Sequence, residues 1–322
     1  MTTTDAVLGE AWMLTVRKNE MSVIQNGALC GMRLDDYITN YGSDVVGKNY
    51  HLEDGFPLLV KLIDAADRLS VQVHPDDEYA KIHENSYGKT EAWYILDCDE
   101  GAELIYGFNK ELTPDEFRKS IEDNTFLDYV NKVKVKKGDV FFISAGTLHA
   151  IGSGILLAEV QQNCNTTYRV YDYNRLVDGK PRELHVEKAL DVTNTVPPVR
   201  NGDPDSAPVL KGTATEQALC SCEFFKMDRV DVKDTYTLNV DNESLSLLRA
   251  SITARTYCSC CGVSPSIFGR ESLISGILAT KALRRAAIVP SAARCSWHSR
   301  KHPKCTIFRL CEAMKLHVRA PV

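Results

Sequence analysis

The feature that most constrains this chain is alternation: short runs in which apolar and polar side chains trade places at each residue, closed by turn signals. Leu69-Ser-Val-Gln-Val-His74 alternates strictly. On a strand, Leu69, Val71 and Val73 then share one face, and Ser70, Gln72 and His74 the other. Glu91–Leu96 is rich in β-forming residues. Lys132–Lys136 alternates, Lys137-Gly138-Asp139 turns the chain, and Val140–Ser144 follows as a strand. Leu156–Gln162, Thr167–Tyr173, Glu223–Val230 and Thr235–Val240 read the same way. Short strands with a turn every ~8–12 residues predict a barrel or sandwich.

Helices interrupt the pattern. Phe56, Leu59, Leu62, Ile63 and Ala66 recur at helical spacing and predict a helix over Glu53–Arg68. Thr113-Pro-Asp-Glu116 is a capping box with proline at the first helical position, and predicts a helix to about Tyr129. His74-Pro-Asp-Asp-Glu78 opens a third, short one. Asn194–Pro208 holds four prolines and Gly202, and reads as a linker.

Composition matters because it changes along the chain. The 322 residues carry a net charge of −5, a length of roughly two domains. Residues 249–322 hold thirteen Lys+Arg against Glu271 and Glu312, and six of the eleven cysteines. The chain totals of 38 basic and 43 acidic residues leave 25 and 41 for residues 1–248, so the two parts carry +11 and −16. No apolar run approaches the ~20 residues of a membrane helix. The first twenty residues hold Asp5, Glu10, Arg17, Lys18 and Glu20 and no apolar core, so no secretory leader is read and the expected location is the cytoplasm.

The candidate chemistry begins on the Leu69–His74 strand, where Gln72 and His74 point to one side. Glu91 opens a later strand, and His149 follows Gly146-Thr147-Leu148. One amide oxygen, two imidazoles and a carboxylate form an N/O set suited to zinc or another divalent ion. Each interrupts an otherwise apolar face, which costs free energy without a partner.

The motifs around these residues are specific. Gln72-Val-His74-Pro-Asp-Asp-Glu-Tyr-Ala80 with Gly88-Lys-Thr-Glu91-Ala-Trp-Tyr-Ile-Leu96 resembles the type I mannose-6-phosphate isomerase (phosphomannose isomerase) family, in its short bacterial form. Gly138-Asp-Val-Phe-Phe-Ile-Ser-Ala-Gly-Thr-Leu-His149-Ala-Ile-Gly152 resembles its cupin motif. Ala158–Gln162 and Thr166–Tyr173 resemble the block with its active-site arginine. The likeness spans roughly residues 8–248.

It implies a mainly β fold: a cupin (jelly-roll) barrel over residues 1–195 with a small helical insertion at about 111–129, a linker at 196–208, and an incomplete second β-domain at 209–248. It implies one Zn²⁺ per chain on Gln72, His74, Glu91 and His149, with Arg169 as the active-site arginine and Lys89 as a second cation for catalysis and substrate binding. The implied reaction interconverts mannose 6-phosphate and fructose 6-phosphate through an enediol. The expected partner is a sugar phosphate, with no nucleic acid and no membrane, and a monomer is favoured. The residues leave the base open among Lys89, His74 and Glu91, with metal ligation against the last two. The rival readings are a degraded isomerase that binds sugar phosphate without turnover, and another metal cupin such as a dioxygenase.

Three departures stand out. Only eight residues precede Gly9, where the family carries an opening strand. Ser144 stands where the cupin motif prefers proline. Nothing in residues 249–322 resembles the family. With the loss of acidic residues and the gain of Cys and Arg, that suggests a reading frame shifted near codon 249. An uninterrupted frame found in several isolates would sink that idea. The rival is a zinc- or nucleic-acid-binding tail through Cys258, Cys260, Cys261, Cys295, His298, His302 and Cys305, whose spacing is poor for a knuckle. Ser272–Ile288 also reads as a basic helix.

Overall fold

The computed structural model describes residues 9–17, 19–24, 28–42, 55–199 and 202–232 in full, and the backbone alone of 237–238, 246–253, 272–279, 286–287 and 310–318. In chain order the first strands are β1 (Glu10–Leu14) and a small hairpin, β2 (Val16–Arg17) and β3 (Glu20–Met21). Then come helix α1 (Leu34–Tyr41), β4 (Leu58–Ala65), β5 (Val71–Val73), α2 (Asp77–His83), β6 (Glu91–Cys98) and β7 (Glu103–Phe108). Helix α3 (Pro114–Glu122), β8 (Val130–Lys134), β9 (Val140–Ile143), β10 (His149–Ala150), β11 (Ile155–Gln162), β12 (Tyr168–Tyr171), the hairpin β13 (Leu176–Val177) with β14 (Lys180–Pro181), and α4 (Val186–Val192) complete this part.

Two antiparallel five-stranded sheets carry it, in the orders β1-β4-β11-β6-β9 and β12-β5-β10-β7-β8. Their inner faces share a core of Ile63, Trp93, Ile95, Leu104, Tyr106, Phe141, Ile143, Ile155 and Leu157. The outer face of the second sheet buries Val71, Val73, Ile105, Phe108, Ala150 and Val170 against Phe117 of α3, Phe126 and Ala189 of α4. The strict alternation at residues 69–74 is thus explained: Val71 and Val73 belong to the outer layer, and Gln72 to the interior. The mainly β, cupin-like architecture read from the sequence is the one observed.

Two helix expectations in this part need correction. Residues 53–68 do not form a helix: Glu53 and Asp54 lie outside the described residues, and Leu58–Ala65 is strand β4. That strand lies between β1 and β11 and is buried at every position but Asp64. A strand covered on both faces needs an unbroken apolar run, in which helical spacing arises by coincidence. Helix α3 keeps its Thr113–Glu116 capping box but ends at Glu122. Asn124 turns left-handed at φ 57°, a conformation its side chain tolerates, and only a single 3₁₀ turn, Phe126–Asp128, follows.

Contacts group the chain into two units, residues 1–22 with 56–204, and 23–55 with 205–322. In the second unit, β15 (Val209–Lys211), β16 (Ala214–Ser221) and β17 (Phe225–Val232) begin a sheet; β18 (Thr237–Leu238) follows. The sheet continues through β19 (Ser246–Thr253) and β20 (Ser272–Ala279), and after β21 (Ala286–Ala287) through β22 (Leu310–Val318), in the order β15-β16-β17-β22-β19-β20. Ser272–Ala279 is therefore a strand paired with β19, and the helix expected from 272 is not formed; Gly276 weakens a helix there, and β19 supplies hydrogen-bond partners. Residues 1–8 and the cysteine and histidine set of the tail lie outside the described residues.

Candidate active site

The register of the second sheet assembles the site. Arg169 on β12 faces Gln72 on β5, Gln72 faces His149 on β10, and His149 faces Tyr106 on β7. Directly paired residues share a face, so this row lines the interior. His74 follows β5 by one residue and Glu91 opens β6. The ligand atoms of His74, Glu91 and His149 all lie within 4.8 Å of one another. His74 Nε2 is 3.6 Å from Glu91 Oε2, and His149 Nε2 is 3.4 Å from Glu91 Oε1. All three side chains are buried.

The donor set fits a metal ion. Donors on a tetrahedral zinc with bonds of ~2.0–2.1 Å stand about 3.3 Å apart, close to the separations seen. His74 Nδ1 lies 2.9 Å from the Thr166 carbonyl and His149 Nδ1 2.8 Å from the Thr147 carbonyl. A carbonyl only accepts, so each Nδ1 carries the proton and each Nε2 turns its lone pair inward, the usual outer support of a metal-binding histidine. Burial, then Lys89 and His149, hold His74 well below the usual imidazole range. Burial brings His149 down to about 4, with the Thr147 carbonyl opposing. Both rings are thus neutral at pH 7, with Nε2 able to accept a metal ion. Neither Glu91 oxygen has a well-formed hydrogen bond. Burial, and then the Glu159 carboxylate, push the Glu91 carboxyl up to about 7 against the pull of Lys89. The Lys89 ammonium meets Oε2 alone, which leaves Oε1 open to a second cation. Gln72 presents its amide nitrogen 3.4 Å from His149 Nε2; a half turn of the amide presents its oxygen in the same place.

Lys89 is buried, not solvated at a turn. Its Nζ lies 2.8 Å from Glu91 Oε2 and 3.0 Å from His74 Nε2. Arg169 pairs with neither Asp172 nor Glu159, the two structural partners its sequence context offers. Asp172 is taken by Arg175 and Arg182, and Glu159 by Lys61 and Trp93. Arg169 Nη1 donates to the Glu183 carbonyl at 2.8 Å, and its Nε is buried without a partner. Burial, then Arg182, lower its pKa. His185, to which the sequence assigned nothing, brackets the Arg169 backbone: its Nδ1 accepts from the Arg169 amide and its own amide donates to the Arg169 carbonyl.

The sequence reading missed the charged floor beneath Glu91. In register across the first sheet run Trp12, Lys61, Glu159, Trp93 and Phe141. Lys61 Nζ lies 3.1 Å from Glu159 and 3.0 Å from Glu10, and Trp93 Nε1 donates to Glu159 at 3.0 Å. The Trp93 ring meets His149 edge-on, with centroids 5.3 Å apart. Burial opposes charge on Lys61, but Glu159 and then Glu10 more than offset it and raise its pKa. Burial raises Glu159, and Lys61 and then Lys89 outweigh it, so the carboxyl is held low. Lys61 was hidden by its placement on an expected helix; strand pairing alone brings it to the site.

The departure at Ser144 proves mild. Ser144 Oγ and Thr147 Oγ1 are 3.0 Å apart and the Thr147 amide donates to the Ser144 carbonyl, closing the turn a proline would stiffen. Gly146 has φ 83° and donates to the His74 carbonyl at 2.8 Å; a Cβ there would lie 2.9 Å from the Val192 carbonyl oxygen.

Comparison with known proteins gives the family. Residues 2–108 match the catalytic domain of phosphomannose isomerase type I. The chain is 37% identical over 239 residues to YvyI of Bacillus subtilis, itself an inferred mannose-6-phosphate isomerase, covering 74% of each chain. The chain belongs to the type I phosphomannose isomerase family. It is 49% identical over 187 residues to the mannose-6-phosphate isomerase ManA of Bacillus subtilis, covering 57% of this chain and 58% of ManA. With the mannose-6-phosphate isomerase of Streptococcus mutans it shares 44% identity over 185 residues, 57% of each chain. It therefore spans a little under three fifths of the length of these two relatives. Among solved structures, the mannose 6-phosphate isomerase from Bacillus subtilis superposes with a TM-score of 0.75 at 28% identity, covering 96% of this chain and 90% of that one. The Salmonella typhimurium enzyme, at 13% identity and a TM-score of 0.59, shares the fold. Among the described residues no helix is long and apolar enough to cross a membrane.

Proposed function

We propose that this protein is a zinc-dependent aldose–ketose isomerase that interconverts mannose 6-phosphate and fructose 6-phosphate. The supporting observation is the buried His74–Glu91–His149 cluster with Lys89 against it, in a chain of this family. Zinc, one ion per chain, would be held by His74, Glu91, His149 and the Gln72 oxygen, and would supply the positive charge that polarises the sugar carbonyl.

The chain's own groups divide the remaining tasks. Moving a proton between C1 and C2 through an enediol needs a group that takes and returns it. Both histidines commit Nδ1 to a backbone carbonyl and turn Nε2 to the cluster, and Glu91 has both oxygens there. Lys89 is then the group that, as the free amine, can take a proton from one carbon and, as the ammonium so formed, return it to the other, and we assign it the shuttle. Arg169 neighbours Gln72 on the lining face and keeps a permanently charged fork with an unpartnered Nε. That suits a bidentate grip on the enediol oxygens or the phosphate.

The test is fructose 6-phosphate formation from mannose 6-phosphate by purified protein. Activity should track one zinc per chain, vanish on dialysis against a chelator and return with zinc. Full turnover by both His149→Ala and Arg169→Ala would refute the site. Substrate binding without turnover in the zinc-loaded protein would make it a degraded sugar-phosphate binder instead.

A further inference from the structure

The root of the Lys89 side chain is clamped by residues that touch neither the metal cluster nor its ammonium. Three successive amides are taken in turn. The Gly88 amide donates to Asp77 Oδ1 at 2.6 Å, the Lys89 amide to the Pro75 carbonyl at 2.9 Å, and the Thr90 amide to Gln162 Oε1 at 2.8 Å. Gln162 closes the ring: its Nε2 donates to the same Asp77 oxygen at 3.4 Å, and its own amide to the Thr90 carbonyl at 3.1 Å. Gln162 is buried at the end of β11, and Asp77 is the first residue of α2, just after its Asp76 cap. The segment is pressed against the helix start so closely that a Cβ on Gly88 would lie 2.4 Å from the Asp76 carbonyl carbon. A strand end and a helix start thus hold one three-residue segment.

A lysine carries its charge on a flexible four-carbon stem. Holding its Nζ at 2.8 Å from Glu91 and 3.0 Å from His74 therefore requires a fixed root. We propose that Gln162 and Asp77 are positioning residues for Lys89, setting where its amino nitrogen meets the substrate carbons. This rests on the assignment of Lys89 as the proton shuttle. A misplacement of about 1 Å far from the chemistry can cost on the order of 100-fold in rate, so losses of tenfold or more are expected when the bracket is cut.

The experiment is a double-mutant cycle on the zinc-loaded full chain. Gln162→Leu should lower kcat about tenfold or more and leave KM for mannose 6-phosphate and the zinc content unchanged. In a Lys89→Met background the same substitution should cost less than about twofold, because a residue that acts through Lys89 has nothing left to position. Asp77→Ala should behave like Gln162→Leu, and Asp77→Asn, which keeps the acceptor for Gly88, should recover most of the lost rate. Losses that multiply fully in the double variant, or an unchanged kcat in Gln162→Leu, overturn the proposal. Wild-type turnover in Lys89→Met overturns the shuttle assignment itself. A second readout needs no turnover: acetic anhydride labelling of Lys89, followed by peptide mass spectrometry, should rise severalfold in Gln162→Leu relative to other lysines, and equal labelling counts against the bracket.

Discussion

The interior between the two sheets has a polar end and an apolar end, built from the same strands. On β6 the inward residues run Glu91, Trp93, Ile95; on β11, Gln161, Glu159, Leu157, Ile155; on β4, Lys61, Ile63, Ala65. On β6 and β11 the change falls at one level; on this face of β4 Lys61 alone is polar, between Leu59 and Ile63. At the apolar end the side chains only need to fill space, and Ile95, Leu157 and Ile155 are fully buried. At the polar end the buried charges of the first sheet and its strand ends are paired: Lys61 lies between Glu159 and Glu10, and Lys89 against Glu91. Desolvating unpaired ions would cost several kcal/mol each, so the polar end exists only because the register lines up its charges. One end stabilises the fold; the other draws on that stability to hold a reactive set of groups.

Four experiments would break or sharpen this division. The largest effect belongs to the polar end: His149→Ala should cut isomerase activity by more than about 100-fold and lower the zinc content, while leaving the urea midpoint of the metal-free protein nearly unmoved. A large loss of stability would place His149 in the core instead. Next, Lys61→Met leaves Glu159 buried without its counter-ion and should destabilise the protein by about 3–5 kcal/mol; adding Glu159→Gln should recover a good part of that loss in urea unfolding. Failure to recover would mean that the lysine stem, not its charge, matters. At the apolar end, Leu157→Ala should cost about 2–5 kcal/mol and leave zinc stoichiometry and KM unchanged.

The smallest effect is in pH dependence of the metal-free protein. His149 is depressed to about 4, so between there and the ordinary histidine value near 6.5 the unfolded chain binds more protons. That contribution is present above about 6.5 and is lost as pH falls toward 4. Glu91 is raised to about 7, so its contribution has the opposite slope: it is present below about 4.5 and is lost as pH rises to 7. The two partly cancel. Glu91→Gln removes one of them and should make stability fall more steeply on acidification from 6.5 to 4. Equal slopes in wild type and variant would show that the Glu91 carboxyl is not raised.

The metal-ligand candidates were legible in the sequence because a strand reports its own face. Gln72 and His74 stand two apart on an alternating run, and Glu91, Lys89 and His149 sit in motifs whose order along the chain is distinctive. Lys61 and Glu159 were not legible in the same way. Lys61 interrupts an apolar run that carries no strand period, and its partner is ninety-eight residues away across a strand pair. The bracket of Asp77, Gly88 and Gln162 joins three elements that no local pattern connects. Arg169 was recognised, but its sequence neighbours suggested an ion pair that Arg175 and Arg182 take instead.

By itself the sequence determined the strand-rich class, the candidate ligand types and the family, since each is written in local alternation, residue chemistry or motif order. The tertiary structure decided which charges neutralise which, which cation meets Glu91, and what anchors Lys89. Those depend on register between strands far apart in the chain, where a shift of one residue would turn every side chain to the opposite face.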